Sequence, residues 1–288
     1  MGVFNLSEGK ARIGLALGGG AARGMAHIGV LSVLEEQGMP IDIITGISIG
    51  AIIGAIYAAG TDLSWLEKLA VTLNWDQLID VTVPRMGFFK TEKLYQLLDL
   101  LCKHKQTEDL DYIYRAIAVD IQTGSEVVLD KGNVAKNALA SASIPGIFLP
   151  QEVDGRLLVD GGIRSRVPID PARQVGADIV IAVDVGSSVQ ELTPTSVIDI
   201  ILQSIDIMQQ EINVDKVCKA DVVIRPDLEQ VKPHDLRLAP VAIEAGRKAA
   251  QEKWPEIYTL LERAGRLGSK ERGRYNARQS IKKQRVSS

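Results

Sequence analysis

Residues 41–50 read Ile-Asp-Ile-Ile-Thr-Gly-Ile-Ser-Ile-Gly, and this stretch decides the fold. Residues 41–45 are rich in β-branched side chains and read as a buried strand. Gly46-Ile47-Ser48-Ile49-Gly50 is a GxSxG, and residues 49–59 continue as a small-residue helix. A serine between strand and helix sits on a sharp turn with its hydroxyl pushed out at the sheet's edge. Glycines two residues to either side, here Gly46 and Gly50, relieve the crowding. The N-terminal dipole of the helix that starts at Ile49 favours negative charge developing at that hydroxyl. The plainer alternative is a tight turn with no chemistry.

Working outward, residues 12–17 alternate small and apolar side chains and run into Gly18-Gly19-Gly20, a second buried strand ending in a glycine loop. From Gly24 a helical period places His27, Val30, Leu31 and Leu34 on one face, and Gly38 stops it. Strand, helix, strand, helix is the opening of a parallel sheet covered on both faces, an α/β fold. Residues 43–61 are uncharged and long enough to span a bilayer, with glycines at 46, 50 and 54. The strand-then-turn start and the acidic flanks Asp42 and Asp62 argue against a span.

Further along, residues 63–73 and 91–102 read as amphipathic helices around a loop at 83–89. Its Val83, Met86, Phe88 and Phe89 suit either an apolar lid or core packing. Residues 114–121 and 126–129 form a hairpin, and 133–142 a helix closed off by Ile144-Pro145-Gly146. A second hairpin turns at Asp154-Gly155 and delivers Leu157-Leu158-Val159 to Asp160-Gly161-Gly162. A buried strand at 178–185, a helix at 196–212, a short strand at 221–224 and a long helix at 241–264 follow. The expected organisation is one domain over residues 8–265, then a basic, flexible tail over 266–288.

Composition narrows the class. The chain has 288 residues, 46% hydrophobic and 24% charged, which excludes disordered, collagen-like and disulfide-scaffold proteins. Cys102 and Cys218 lie far apart in no CxxC arrangement, as in a reduced cytosolic protein, and the start of the chain has no signal-peptide core. Net charge is −3, but residues 263–288 carry nine Lys/Arg against one acid, which leaves −11 on the rest. An acidic body with a basic tail is not a nucleic-acid binder. The tail suits either a solvated terminus or transient contact with an anionic bilayer.

Chemistry concentrates at three places. The first is Ser48. The second is Gly18-Gly19-Gly20-Ala21-Ala22-Arg23-Gly24, where side-chain-free amides before a helix cradle an anion, either a dinucleotide phosphate or an oxyanion. The dinucleotide fingerprint fits badly. Arg23 or Ala21 stands where a glycine is needed, and Asp42 precedes the next strand instead of ending it. The third is Asp160-Gly161-Gly162, whose buried carboxylate would be a raised-pKa base; Asp184, also at the end of an apolar strand, is a rival. Of three histidines, His27 lies on an apolar helix face and His104 among lysines. His234 is the remaining general-base candidate.

These motifs, with Met25-Ala26-His27-Ile28-Gly29-Val30-Leu31, Ser141-Ala142-Ser143-Ile144-Pro145-Gly146 and Val167-Pro168, resemble the bacterial patatin-like phospholipases. Such proteins often show four consecutive glycines where this chain has Ala21 as the fourth residue. The resemblance implies a three-layer α/β/α fold with a mainly parallel central sheet, and a Ser48–Asp160 dyad in preference to Asp184. It implies an oxyanion hole drawn from Gly18, Gly19, Gly20, Ala21, Arg23 and Gly24, with Gly161 and Gly162 supporting the acid. Lipid acyl esters are the implied substrates, with no metal or cofactor. The cysteines and the basic tail set the expected location in the cytoplasm, or peripheral to the inner membrane face. A catalytically silent lipid-binding protein and a nucleotide-binding module are the readings from other classes.

Overall fold

The computed structural model describes residues 10–73, 80–81, 86–186 and 194–268. In chain order the elements are β1 (Ile13–Leu17), α1 (Ala26–Glu36), β2 (Ile43–Ile47), α2 (Ile49–Ala58), α3 (Leu63–Thr72), β3 (Asp80–Val81), β4 (Gly87–Lys90) and α4 (Glu92–Leu101). Then come β5 (Ile113–Asp120), β6 (Glu126–Leu129), α5 (Val134–Ser141), β7 (Gly146–Phe148), β8 (Gln151–Val153), β9 (Arg156–Asp160) and α6 (Ile169–Gln174). The last four are β10 (Ile179–Val183), α7 (Val197–Val217), β11 (Val222–Ile224) and α8 (Ala239–Arg263).

The main sheet has the order β11-β10-β1-β2-β5-β9-β8. Its first five strands are parallel, and β9, β8 and β6 join antiparallel. Alternation along the strands feeds two layers. Ile13, Leu15, Leu17, Ile181 and Val183 enter a large core with α1, α2, α5 and α8. Ala16, Val180 and Ala182 enter a smaller one with Ile169 and Ala172 of α6. Burying each Leu or Ile contributes about 1.5–3 kcal/mol, so two-sided burial of these short strands is what holds the sheet between its helices. This is the three-layer α/β/α arrangement.

Residues 43–61, tested above as a bilayer span, divide into β2 and α2. Among the described residues no helix is long and apolar enough to cross a membrane. β2 runs two residues past the expected end at Thr45, because Gly46 and Ile47 pair with Ala116 and Ile117 of β5. Ladder pairing outweighs the turn propensity of glycine there. Part of the 83–89 segment is also a strand. Phe88 and Phe89 lie in β4, which pairs in parallel with β7, and the Phe89 ring sits 6.2 Å from that of Phe148. Met86 is exposed, and Val83 lies outside the described residues. The packed body continues past residue 265. Leu267 is buried, and Arg266 Nη2 donates to both carboxylate oxygens of Asp42 at 2.8 and 2.7 Å.

One topological detail places the functional site. β5 uses a single edge for two strands. β2 pairs along it as far as Ile117, and β9, running the opposite way, takes over at Ala118. β6 occupies the other edge. The C-terminal ends of β2 and β9 therefore meet head to head, and the residues that finish them, Ser48 and Asp160, come from strands more than a hundred residues apart in sequence.

Candidate active site

Ser48 has φ +55° and ψ −127°, a left-handed conformation that costs a residue with a side chain of order 1–3 kcal/mol. The surroundings impose it. A Cβ on Gly46 would lie 2.4 Å from Ala51 Cα, and one on Gly50 would lie 2.3 Å from the Leu17 carbonyl oxygen. Only glycine lets α2 start this close to β1 and β2. The Ser48 N–H donates to Ser141 Oγ at 3.0 Å, and the Ser141 hydroxyl donates to the Ile117 carbonyl. The Ser48 carbonyl accepts from the amides of Ala51 and Ile52, starting the helix.

Asp160 ends β9 and is buried. Its N–H donates to the Ser143 carbonyl at 2.9 Å, its Oδ1 accepts from the Gly162 N–H at 2.7 Å, and it lines the same small cavity as Ser48. Burial raises its pKa to about 6, against the opposing pull of the neighbouring Ser48 side chain and the Gly162 N–H. Gly161 is held to glycine by contact, since a Cβ would lie 2.3 Å from the Ile117 carbonyl oxygen. A buried carboxylate of this pKa beside a strained serine hydroxyl can take up the serine proton near neutral pH.

The glycine loop divides its tasks more finely than the sequence suggested. The Gly18 N–H donates to the Val183 carbonyl at 3.0 Å and the Gly19 N–H to the Arg166 carbonyl at 2.9 Å, so both expected oxyanion donors are engaged in holding the loop. The Gly20 and Ala21 N–H groups meet no acceptor among the described residues, and both residues line a small cavity with Ser48 and Asp160. Arg23 turns away from this cavity. Its buried guanidinium donates to Asp206 at 2.9 Å and to the Val231 carbonyl at 3.1 Å, tying α7 and the 231–236 segment to the loop. Gly24 is a packing position, where a Cβ would collide with Ile49 at 2.0 Å.

The rival groups lie elsewhere. Asp184 caps the Gly186 N–H and faces Arg225 at 3.4 Å and Arg166 at 3.9 Å. His27 is buried in the core with Nε2–H donated to the Gly18 carbonyl at 2.8 Å. Its Nδ1 has no partner, and burial lowers its pKa to about 4. His104 is exposed and pairs with Asp99 rather than standing solvated alone. His234 Nδ1 bonds Asp199 Oδ1 at 2.8 Å at the rim of an apolar cavity.

That cavity, of about 310 Å³, opens from Ser48 and runs between α2, α3 and α4, with Ile52, Ile56, Leu69, Phe89, Leu94 and Leu97 in its wall. Sequence reasoning missed Gln209 and Asp206, which reach the small cavity from α7. Neither carries a local signal, being polar residues within an amphipathic helix. Ser141 stood in a recognised segment without a role. Among the described residues no cluster of His, Cys, Asp or Glu has the arrangement of a metal site.

Fold and site together define an α/β protein with a serine on a strand-to-helix turn, an acid facing it and free backbone amides beside both. A family model for patatin-like phospholipases matches residues 15–173, and the chain belongs to that family. It is 33% identical over 309 residues to a patatin-like phospholipase domain-containing protein of Caenorhabditis elegans, covering 95% of this chain and 23% of that protein. It is 38% identical over 179 residues to an uncharacterized NTE family protein of Mycobacterium tuberculosis, covering 62% of this chain and 50% of that protein. The chain thus spans half or less of these relatives' lengths. Among solved structures, VipD from Legionella pneumophila superimposes with a TM-score of 0.59 at 13% identity, covering 85% of this chain and 66% of that one, a likeness of fold.

Proposed function

We propose that the protein hydrolyses acyl esters of lipids through a covalent acyl-enzyme, with Ser48 as nucleophile and Asp160 as its base. The observation that carries this reading is the meeting of a strained serine and a buried carboxylate of pKa about 6 in one small cavity, beside a cavity of about 310 Å³ walled by hydrocarbon. Family membership supports the same reaction class.

The steps balance with these groups alone. Ser48 Oγ attacks the ester carbonyl carbon as its proton passes to Asp160. The tetrahedral oxyanion receives the N–H groups of Gly20 and Ala21; losing one such donor typically costs about 3 kcal/mol. The ester C–O bond breaks and protonated Asp160 returns its proton to the leaving alkoxide. Water then attacks the acyl-enzyme, giving its proton to Asp160, which passes it on to Ser48 Oγ. An acyl chain in the apolar cavity leaves water and orients the carbonyl, so binding energy far from the ester serves the chemical step.

Labelling with a fluorophosphonate tests the reading. The adduct is expected on Ser48 by mass spectrometry and absent in Ser48→Ala, with ester turnover lost in Asp160→Asn. An unlabelled protein, or full turnover in Asp160→Asn with loss in His234→Ala, would overturn it. Because the base must be ionised, kcat/KM is expected to fall as pH drops below about 6. Filling the cavity with Ile52→Trp should cut turnover of long-chain esters far more than that of short ones.

A further inference from the structure

We infer that Gln209 is a positioning residue for Asp160: with Arg166 it ties the acid's turn to the glycine loop and so fixes the direction of the carboxylate toward Ser48. The inference rests on the assignment of Ser48 and Asp160 as the reacting pair.

Gln209 is buried on the inner face of α7 and lines the small cavity with both of them. Its Nε2 donates to the Gly162 carbonyl at 2.8 Å, and its Oε1 accepts from Arg166 Nε at 2.9 Å. The amide's orientation follows from its partners, since a guanidinium only donates and a peptide carbonyl only accepts. The same residue, Gly162, donates its N–H to Asp160 Oδ1 at 2.7 Å. Arg166 offers its backbone carbonyl to the Gly19 N–H at 2.9 Å. Two side chains thus connect the residue that holds the acid to the residue that holds the glycine loop. Gly162 has to be glycine for this contact, because a Cβ would lie 2.7 Å from Gln209 Nε2 and 2.9 Å from Asp160 Oδ1.

A neutral amide is what the place requires. The charged groups around it already have partners of their own: Arg166 and Arg225 face Asp184, and Asp206 on α7 pairs with Arg23. A carboxylate at 209 would keep the arginine contact but set an oxygen against the Gly162 carbonyl oxygen. It would also add negative charge beside a base that must ionise, which makes ionisation harder.

The test compares Gln209→Glu and Gln209→Met with the parent, rates being normalised to the fraction of Ser48 labelled by fluorophosphonate. Gln209→Glu is expected to fold and to move the acid limb of kcat/KM upward by about one pH unit, a tenfold loss near pH 5. Gln209→Met, which keeps the bulk and loses the hydrogen bonds, is expected to lower kcat about tenfold at unchanged KM. Parent-like kcat and acid limb in both labelled variants, whatever happens to their Tm, would overturn the inference alone. Absence of label on Ser48 in the parent would overturn the assignment of the reacting pair and the inference with it.

Discussion

The turn that carries Ser48 and the turn that carries Asp160 face each other across one edge of β5, yet they are built by different means. The serine's turn is held by hard contacts: α2 approaches β1 and β2 so closely that a Cβ on Gly46 or Gly50 would overlap backbone atoms. The acid's turn has one such contact, at Gly161, and is otherwise held by polar contacts, from Ser143, from Gly162 and, 47 residues away along the chain from Gly162, from Gln209. Backbone that cannot yield fixes the strained serine; hydrogen bonds that can be retuned fix the carboxylate. On the proposed function, the position of the nucleophile is a steric property, and the pKa and direction of its base are electrostatic ones.

That contrast can be broken from either side. Ser48→Ala should leave the fold intact and reduce ester turnover by at least about 10⁴-fold, measured as kcat on a chromogenic ester. Asp160→Asn should cost about 10³-fold in turnover while stabilising the protein in mild alkali. The raised folded pKa means that Asp160 contributes stability below its unfolded pKa and loses it as pH rises through about 6. Removing the charge should recover about 2–3 kcal/mol, read from urea unfolding at pH 8. His27 works in the opposite sense. Its folded pKa of about 4 means stability present above pH 6.5 and lost as pH falls through 4. Asp160→Asn should accordingly lose stability more steeply than the parent between pH 6 and 4.

Two smaller effects separate steric from polar support directly. Gly50→Ala should destabilise by about 3 kcal/mol, because its new methyl meets a strand carbonyl with nowhere to move. Gly162→Ala meets first the far end of the Gln209 side chain, which can swing aside. About 1 kcal/mol of stability is expected to go, with a drop in kcat that exceeds what the unfolded fraction explains. Equal stability losses in the two variants would erase the distinction.

The same distinction accounts for what the sequence disclosed. Ser48 was legible because its constraint is written in its neighbours, Gly46 and Gly50, within five residues. The parallel sheet was legible from the largely apolar runs expected at 12–17, 41–45 and 178–185, whose burial on both faces leaves no regular polar alternation. Asp160 and Asp184 both end such runs, and burial alone did not separate them. What separates them is register, β9 taking over from β2 at Ala118 of β5, which no local pattern encodes. The free amides were half legible: a glycine run promises them but does not say that Val183 and Arg166 engage those of Gly18 and Gly19. Arg23 looked like part of the anion cradle because it stands in the loop, and its partner Asp206 lies 183 residues downstream. Gln209 had no signal at all, since a glutamine inside a helix looks the same whether it faces solvent or a peptide carbonyl.

The cavity that opens from Ser48 owes much of its wall to α3, β4 and α4, an excursion of the chain between α2 and β5 that supplies no group to the small cavity holding Ser48 and Asp160. On the proposed function, the side chains this excursion turns to the cavity, such as Leu69, Leu94 and Leu97, set which acyl chain lengths fit, and exchanging them changes that fit. The strand ends that carry the alcohol and the acid stay where β5 sets them. Selectivity and reactivity are then inherited separately, and an engineer could rewrite the first without renegotiating the second.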